Sequence, residues 1–250
     1  MSGHSKWSSI KHKKSRTDAQ RGKIFTRLIK ELTVAARTGG GDESANPRLR
    51  AAIAAAKAGN MPQANIEKAI QRGTGELPGV TYEDMTYEGY GPGGAALMIR
   101  TLTDNKNRTV AEVRHLFGKY NGNLGESGSV SWIFDKKGVI QVNAEGLTED
   151  DVFLVALEAG AHDIKNDGRV FEIFTPPEKL DETKKALEEA GFGVVMAEST
   201  MHPQNFVTLE GKQAEQMLKL MDALDEHDDV QDVFSNFDID ERIMEELEQG

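Results

Sequence analysis

The first sixteen residues hold the densest chemistry in the chain. Lys6, Lys11, Lys13, Lys14 and Arg16 can each neutralise a phosphate, and His12 adds a donor. Trp7 supplies a π-face on which an unpaired base can stack, which suits RNA or single strands better than duplex DNA. A plainer role for Trp7 is an anchor that pins the arm to the domain behind it, and the residues leave the two open. Arg21, Lys23, Arg27, Lys30 and Arg37 continue the basic track. At about 100° per residue, Arg16, Lys23, Arg27, Lys30 and Arg37 fall opposite an apolar stripe of Phe25, Leu28, Ile29, Leu32 and Ala36. Such a face is solvated, docked on the chain's own acids, or laid along a polyanion. Density of charge favours the polyanion.

Catalytic templates fail one after another. Gly125-Glu126-Ser127-Gly128-Ser129 lacks the last glycine of a nucleophile elbow and precedes a strand. Gly89-Tyr90-Gly91-Pro92-Gly93-Gly94 leads into a strand and not a helix, so it reads as a tight turn needing positive φ rather than a dinucleotide loop. No Walker sequence is present, and the histidines at 4, 12, 115, 162, 202 and 227 lack metal-motif spacing. The acids Asp222, Asp225, Glu226, Asp228, Asp229 and Asp232 lack the glycine and terminal glutamate of a calcium loop and read as a solvated helix end. Met217, Leu218, Met221 and Leu224 read as core. The chain is expected to be no enzyme, with no catalytic residue, no metal and no cofactor.

Charge is divided unevenly. Of 30 Lys+Arg and 41 Asp+Glu, residues 1–77 hold 15 and 6, a net of +9, leaving −20 for residues 78–250. That asymmetry points to a basic nucleic-acid-contacting module joined to an acidic body. Zero cysteines among 250 residues exclude disulfides, thiolate metal sites and a cysteine nucleophile. The apolar runs are far too short to span a bilayer, and the N-terminus has no apolar signal core, so a soluble, intracellular protein without membrane contact is expected. A monomer is expected as well.

Three short helices must position the basic face. The first begins near residue 15 or 17 and stops at Gly39-Gly40-Gly41. Asn46 and Pro47 cap and open the second, which ends near Gly59; the third follows Asn60-Met61-Pro62 with Gly73 as its C′ residue. Residues 73–81 read as a linker. The pattern beyond it is α+β: a strand over 95–102, a helix over 107–120, a strand over 130–134, a turn at Lys136-Lys137-Gly138, and a strand over 139–142. Thr148 with Asp151 makes a capping box for a helix to residue 159. Residues 137–201 then give β-α-β-β-α-β, the ferredoxin-like order, and the flanking pieces close a second sheet of the same type. A short acidic helix is expected at the C-terminus. The expected architecture is a basic helical domain (1–77), a discontinuous α+β domain (78–135 plus 203–250) and an inserted ferredoxin-like α+β domain (136–202).

Gly3-His4-Ser5-Lys6-Trp7, Arg21-Gly22-Lys23-Ile24-Phe25, Asn46-Pro47-Arg48-Leu49-Arg50, Asn60-Met61-Pro62, Arg72-Gly73-Thr74-Gly75, Tyr87 through Gly94, Asn107-Arg108-Thr109 and the segment Leu124 to Val130 together resemble the YebC/PmpR family. The similarity runs through the whole chain; Glu43, where proline is expected after the glycine-rich turn, is a departure. The resemblance implies one helical and two α+β domains and a non-enzymatic cytoplasmic regulator of gene expression. Two roles attach to that family: a DNA-binding transcriptional regulator, and a ribosome-associated translation factor like the mitochondrial relatives that activate cytochrome c oxidase subunit I synthesis. The sequence leans toward the second, with ribosomal RNA or the ribosome as partner and promoter DNA as the alternative.

Overall fold

The computed structural model describes residues 18–240, with side chains from residue 22. The chain divides into two compact units, one of residues 132–206 and one made of the segments on either side of it. It is an α+β protein in which an N-terminal helical region precedes sheet-containing parts.

The helical region is built from α1 (Asp18–Gly39), α2 (Pro47–Ala58) and α3 (Gln63–Thr74). Asn46 caps α2 by accepting from the Leu49 N–H, while its amide donates to the Ala35 and Gly40 carbonyls and ties the cap to the end of α1. Leu32, Leu49, Ile53, Met61 and Ile66 form the core, with Phe25, Leu28 and Ile29 packed against it. The apolar stripe read from the sequence is therefore the buried face. The third helix ends two residues later than expected. Gly75, at φ 85°, is the left-handed cap. Gly73 is inside α3 and buried, where a Cβ would come within 2.4 Å of the Thr33 carbonyl and 2.7 Å of Ala36. That glycine is there for close approach of α3 to α1, not for a turn.

Next comes a four-stranded antiparallel sheet in the order β3-β1-β2-β9, from β1 (Glu83–Tyr90), β2 (Ala96–Thr103), β3 (Asn123–Leu124) and β9 (Val230–Ser235). Helices α4 (Lys106–Lys119) and α7 (Gly211–Asp225) supply Val113, Phe117, Met217, Leu220, Met221 and Leu224 to its core. Met217, Met221 and Leu224 are as the spacing predicts, whereas Leu218 is only partly buried and Leu220 takes the inner position. β8 (Val207–Thr208) and β10 (Phe237–Asp238) form a separate parallel pair. Chain order here differs from the inserted sheet, because β1 and β2 are a direct hairpin. Strand β1 is absent from the sequence reading: Glu83, Asp84 and Glu88 dilute its alternation, and Glu88 is buried nonetheless. The glycine-rich segment is the expected turn, with Gly93 and Gly94 at φ 71° and 79°.

The unit of residues 132–206 has the ferredoxin-like order. Strands β4 (Phe134–Asn143), β5 (Asp163–Asn166), β6 (Val170–Thr175) and β7 (Val194–Pro203) lie as β5-β6-β4-β7, all antiparallel, with α5 (Glu149–Glu158) and α6 (Leu180–Glu189) between them in sequence. Ile140, Val142, Val152, Phe171, Ile173 and Leu187 form its core. The Thr148–Asp151 capping box is present. Lys136-Lys137-Gly138 is not a turn but lies within the ten-residue β4, paired with Met201, Thr200 and Ser199. A Cβ at residue 138 would sit 2.3 Å from the Thr175 hydroxyl, so this glycine again serves close packing. The acidic helix expected at the C-terminus lies outside the described residues.

Candidate nucleic-acid interface

Lys6, Trp7, Lys11, His12, Lys13, Lys14 and Arg16 lie outside the described residues, as does the side chain of Arg21. The remaining candidates sit on α1, and the structure sends them to different surroundings. Arg37 is exposed in its last turn. Lys23 is exposed at the other end, with its Nζ 3.3 Å from the Glu226 carbonyl. Arg27 donates to the Asp225 carboxylate at 3.3 Å and to the Asp225 carbonyl. Lys30 is buried. Its Nζ donates to Asp229 Oδ1 at 2.7 Å and to the Asp228 carbonyl at 3.0 Å, and lies 5.4 Å from the centre of the Tyr82 ring.

The face opposite the apolar stripe is thus split. Its middle docks on the segment 225–229 of the same unit, while its last turn stays open. The acidic cluster is correspondingly a solvated helix end only in part: Asp222, Glu226 and Asp228 are exposed, whereas Asp229 is buried. Asp229 is 3% exposed and accepts from Lys30, from Arg108 at 2.7 Å, from Thr109 at 2.7 Å and from Thr103 at 3.2 Å. Burial pushes its pKa up, but the donors Lys30, Arg108 and Thr109 outweigh burial and hold the carboxyl well below the usual range. Sequence periodicity could not reveal this pairing, because its partners lie 199 residues apart.

A second ionic group flanks the first. Glu31 of α1 accepts from Arg48 at 2.6 Å and from Arg100 at 2.7 Å, and both arginines also reach Asp84, while Arg100 pairs with Asp232 at 3.1 Å. Burial raises the Glu31 pKa and the Arg48 and Arg100 contacts more than reverse it. These pairs consume Arg27, Lys30 and Arg48 inside the unit. Arg37, Lys57, Lys68 and Arg72 are exposed and form no ion pair among the described residues.

Glu88 explains the other glycine-rich segment. Its carboxylate accepts the backbone N–H groups of Gly128, Val130 and Ser131, each at 2.8 Å. Residues 128–131 therefore wrap the Glu88 carboxylate. Among the described residues, Glu112, His227 and Asp229 bring donor atoms within 4.8 Å of one another. Asp229 is already engaged by Lys30 and Arg108, whose charges would repel a metal ion, and by two hydroxyls. No helix among the described residues is long and apolar enough to cross a membrane.

Comparison with known proteins agrees with this layout. Residues 5–76 match the model of the TACO1/YebC protein N-terminal domain, and residues 82–237 that of the TACO1/YebC second and third domain. Proteins of Desulforapulum autotrophicum and Geobacter sulfurreducens, each named a probable transcriptional regulatory protein, are both 58% identical over 247 residues, covering 99% of this chain and all of theirs. The crystal structure of a conserved hypothetical protein from Aquifex aeolicus aligns at a TM-score of 0.79 and 48% identity, covering 92% of this chain and 96% of that one.

Proposed function

The chain belongs to the TACO1/YebC family, and from that premise we propose that it is a non-catalytic, nucleic-acid-binding regulator of gene expression. The observation that carries this reading is the charge that remains after internal pairing. The acidic body neutralises the middle of α1, yet Arg37, Lys57, Lys68 and Arg72 stay exposed on the helical region. The arm adds Lys6, Lys11, Lys13, Lys14 and Arg16 with no acid before Asp18. A polyanion that engages the helical region and the arm meets these cations, whereas residues 78–250 carry a net −20 that disfavours it. The names of the relatives favour regulation of transcription through DNA.

Regulation of translation through RNA is the second reading, favoured by Trp7 in the arm, whose ring suits unpaired bases. One experiment separates the two. Ribosome co-sedimentation at physiological salt after DNase treatment is compared with genomic DNA crosslinking in the same cells. Enrichment on discrete promoters without ribosome association supports transcription; the reverse supports translation. Replacing Lys11, Lys13 and Lys14 with alanine should flatten the log–log salt slope of binding by roughly 2 to 3 units on either ligand. An unchanged slope removes the arm from the interface.

A further inference from the structure

One surface is unrelated to the basic region. Helix α5 alone among the described α-helices exposes large apolar side chains: Phe153 at 36%, Leu154 at 62% and Leu157 at 49%. Its inward face is already provided for, since Val152 and Ala156 are buried in the core of the inserted unit. At about 100° per residue, 153, 157 and 154 span an arc of only about 100°, so the three form one continuous stripe. Glu149, Asp150, Asp151 and Glu158 surround it, and α5 contains no lysine or arginine. Each uncompensated exposed leucine favours aggregation, so an apolar stripe held inside an acidic collar marks a place for a partner.

We propose that the outer face of α5 docks a basic amphipathic helix of a protein partner. The collar decides the chemistry. Four carboxylates within ten residues repel nucleic acid and anionic lipid. Pairing this face with the same face of a second copy would bring eight carboxylates together, which disfavours self-association. A convex helical stripe offers no free backbone edge, so an added strand gains nothing there. A helix laid across it buries the Phe153, Leu154 and Leu157 side chains while its lysines or arginines meet Glu149, Asp150 and Glu158.

The test uses the full chain and a fluorescein-labelled fourteen-residue peptide of lysine and leucine at amphipathic helical spacing, read by fluorescence anisotropy. The peptide should bind, and its glutamate–leucine counterpart should not. Leu154→Glu with Leu157→Glu should weaken binding at least about tenfold. Leu154→Ala with Leu157→Ala should weaken it in the same direction without placing new charge on the helix. Glu149→Gln with Asp150→Gln and Glu158→Gln should remove most of the salt dependence, whereas Glu188→Gln with Glu189→Gln on α6 should leave affinity unchanged. Calorimetric melting of each variant shows whether the inserted unit is intact. Equal binding by wild type and both leucine double variants would overturn the proposal. Tighter binding of a peptide of residues 1–17 than of the lysine–leucine helix would also overturn it, making the chain's own arm the occupant. A parallel loss of nucleic-acid affinity in the alanine variant would assign the stripe to the nucleic-acid surface instead.

Discussion

Replacing Asp229 with asparagine tests whether the basic helix is held by its own acidic segment. The wild-type carboxylate is about as buried as a charge can be, with side-chain exposures of 4% for Asp229 and 9% for Lys30. Asparagine keeps the volume, but its amide keeps one acceptor oxygen and puts two donors where the other oxygen stood, facing either Lys30 or the group of Arg108, Thr103 and Thr109. Lys30 is then a buried cation without a countercharge, and breaking such a pair costs about 3–5 kcal/mol. At roughly 2–4 °C per kcal/mol for a chain of this size, the calorimetric transition of the unit formed by the N- and C-terminal segments should fall by about 6–20 °C. The transition of residues 132–206 should not move. Lys30→Met leaves Asp229 with Arg108 and two hydroxyls, so it should cost less, about 1–3 kcal/mol. Combining the two removes both charges, and the double variant should be more stable than the sum of the single losses by at least about 1 kcal/mol. A D229N protein melting within about 2 °C of wild type, or strict additivity, would falsify the account of Lys30 as an internal ion-pair partner.

Three further outcomes follow from the same geometry. Gly73→Ala forces a methyl against the Thr33 carbonyl and Ala36; overpacking should cost about 1–3 kcal/mol in urea unfolding, and an unaltered midpoint would show that α3 and α1 can part freely. Glu88→Gln leaves one oxygen for three backbone donors. The amides of Gly128, Val130 and Ser131 should then exchange faster by about a factor of ten or more, corresponding to roughly 1–3 kcal/mol, and unchanged exchange would contradict the role given to this carboxylate. The pKa values of Glu31, Glu88 and Asp229 are all depressed, so each contributes stability that is present above its unfolded value near about 4 and lost as pH falls toward the folded one. Stability should decline below about pH 4.5, less steeply in D229N than in wild type; parallel curves would remove Asp229 from the acid response.

Helices were legible wherever a cap and an apolar stripe coincided. Asn46 with Pro47, and Thr148 with Asp151, marked helix starts that the structure reproduces to the residue. Glycine was less informative, because it serves two purposes. At Gly93 and Gly94 it permits positive φ, which a turn reading captures. At Gly73 and Gly138 it permits close approach by residues distant in sequence, and the same letter was read as a cap and as a turn. Strand β1 was illegible for a related reason. Glu88 belongs to the buried side because Gly128, Val130 and Ser131 come back to meet it, and nothing within β1 announces that return.

The candidate site shows the same boundary between local and distant information. Periodicity places Lys23, Arg27, Lys30 and Arg37 away from the helical core, and that holds. It says nothing about what faces them. Solvent faces Arg37; Asp225 and Asp229, about 200 residues further on, face Arg27 and Lys30. The imbalance of +9 against −20 was the one sequence signal that a basic helix could find acids within its own chain. A charge used internally at 2.7 Å cannot also release a counterion from a phosphate without first breaking a buried pair. For the proposed nucleic-acid binding, affinity is therefore expected from cations that give up nothing to bind. On the helical region such cations include Arg37, Lys57, Lys68 and Arg72, and the arm adds Lys6, Lys11, Lys13, Lys14 and Arg16. Lys30 and Asp229 then have a different purpose: they hold α1 against β2 and the segment that leads into β9, within one unit of the chain.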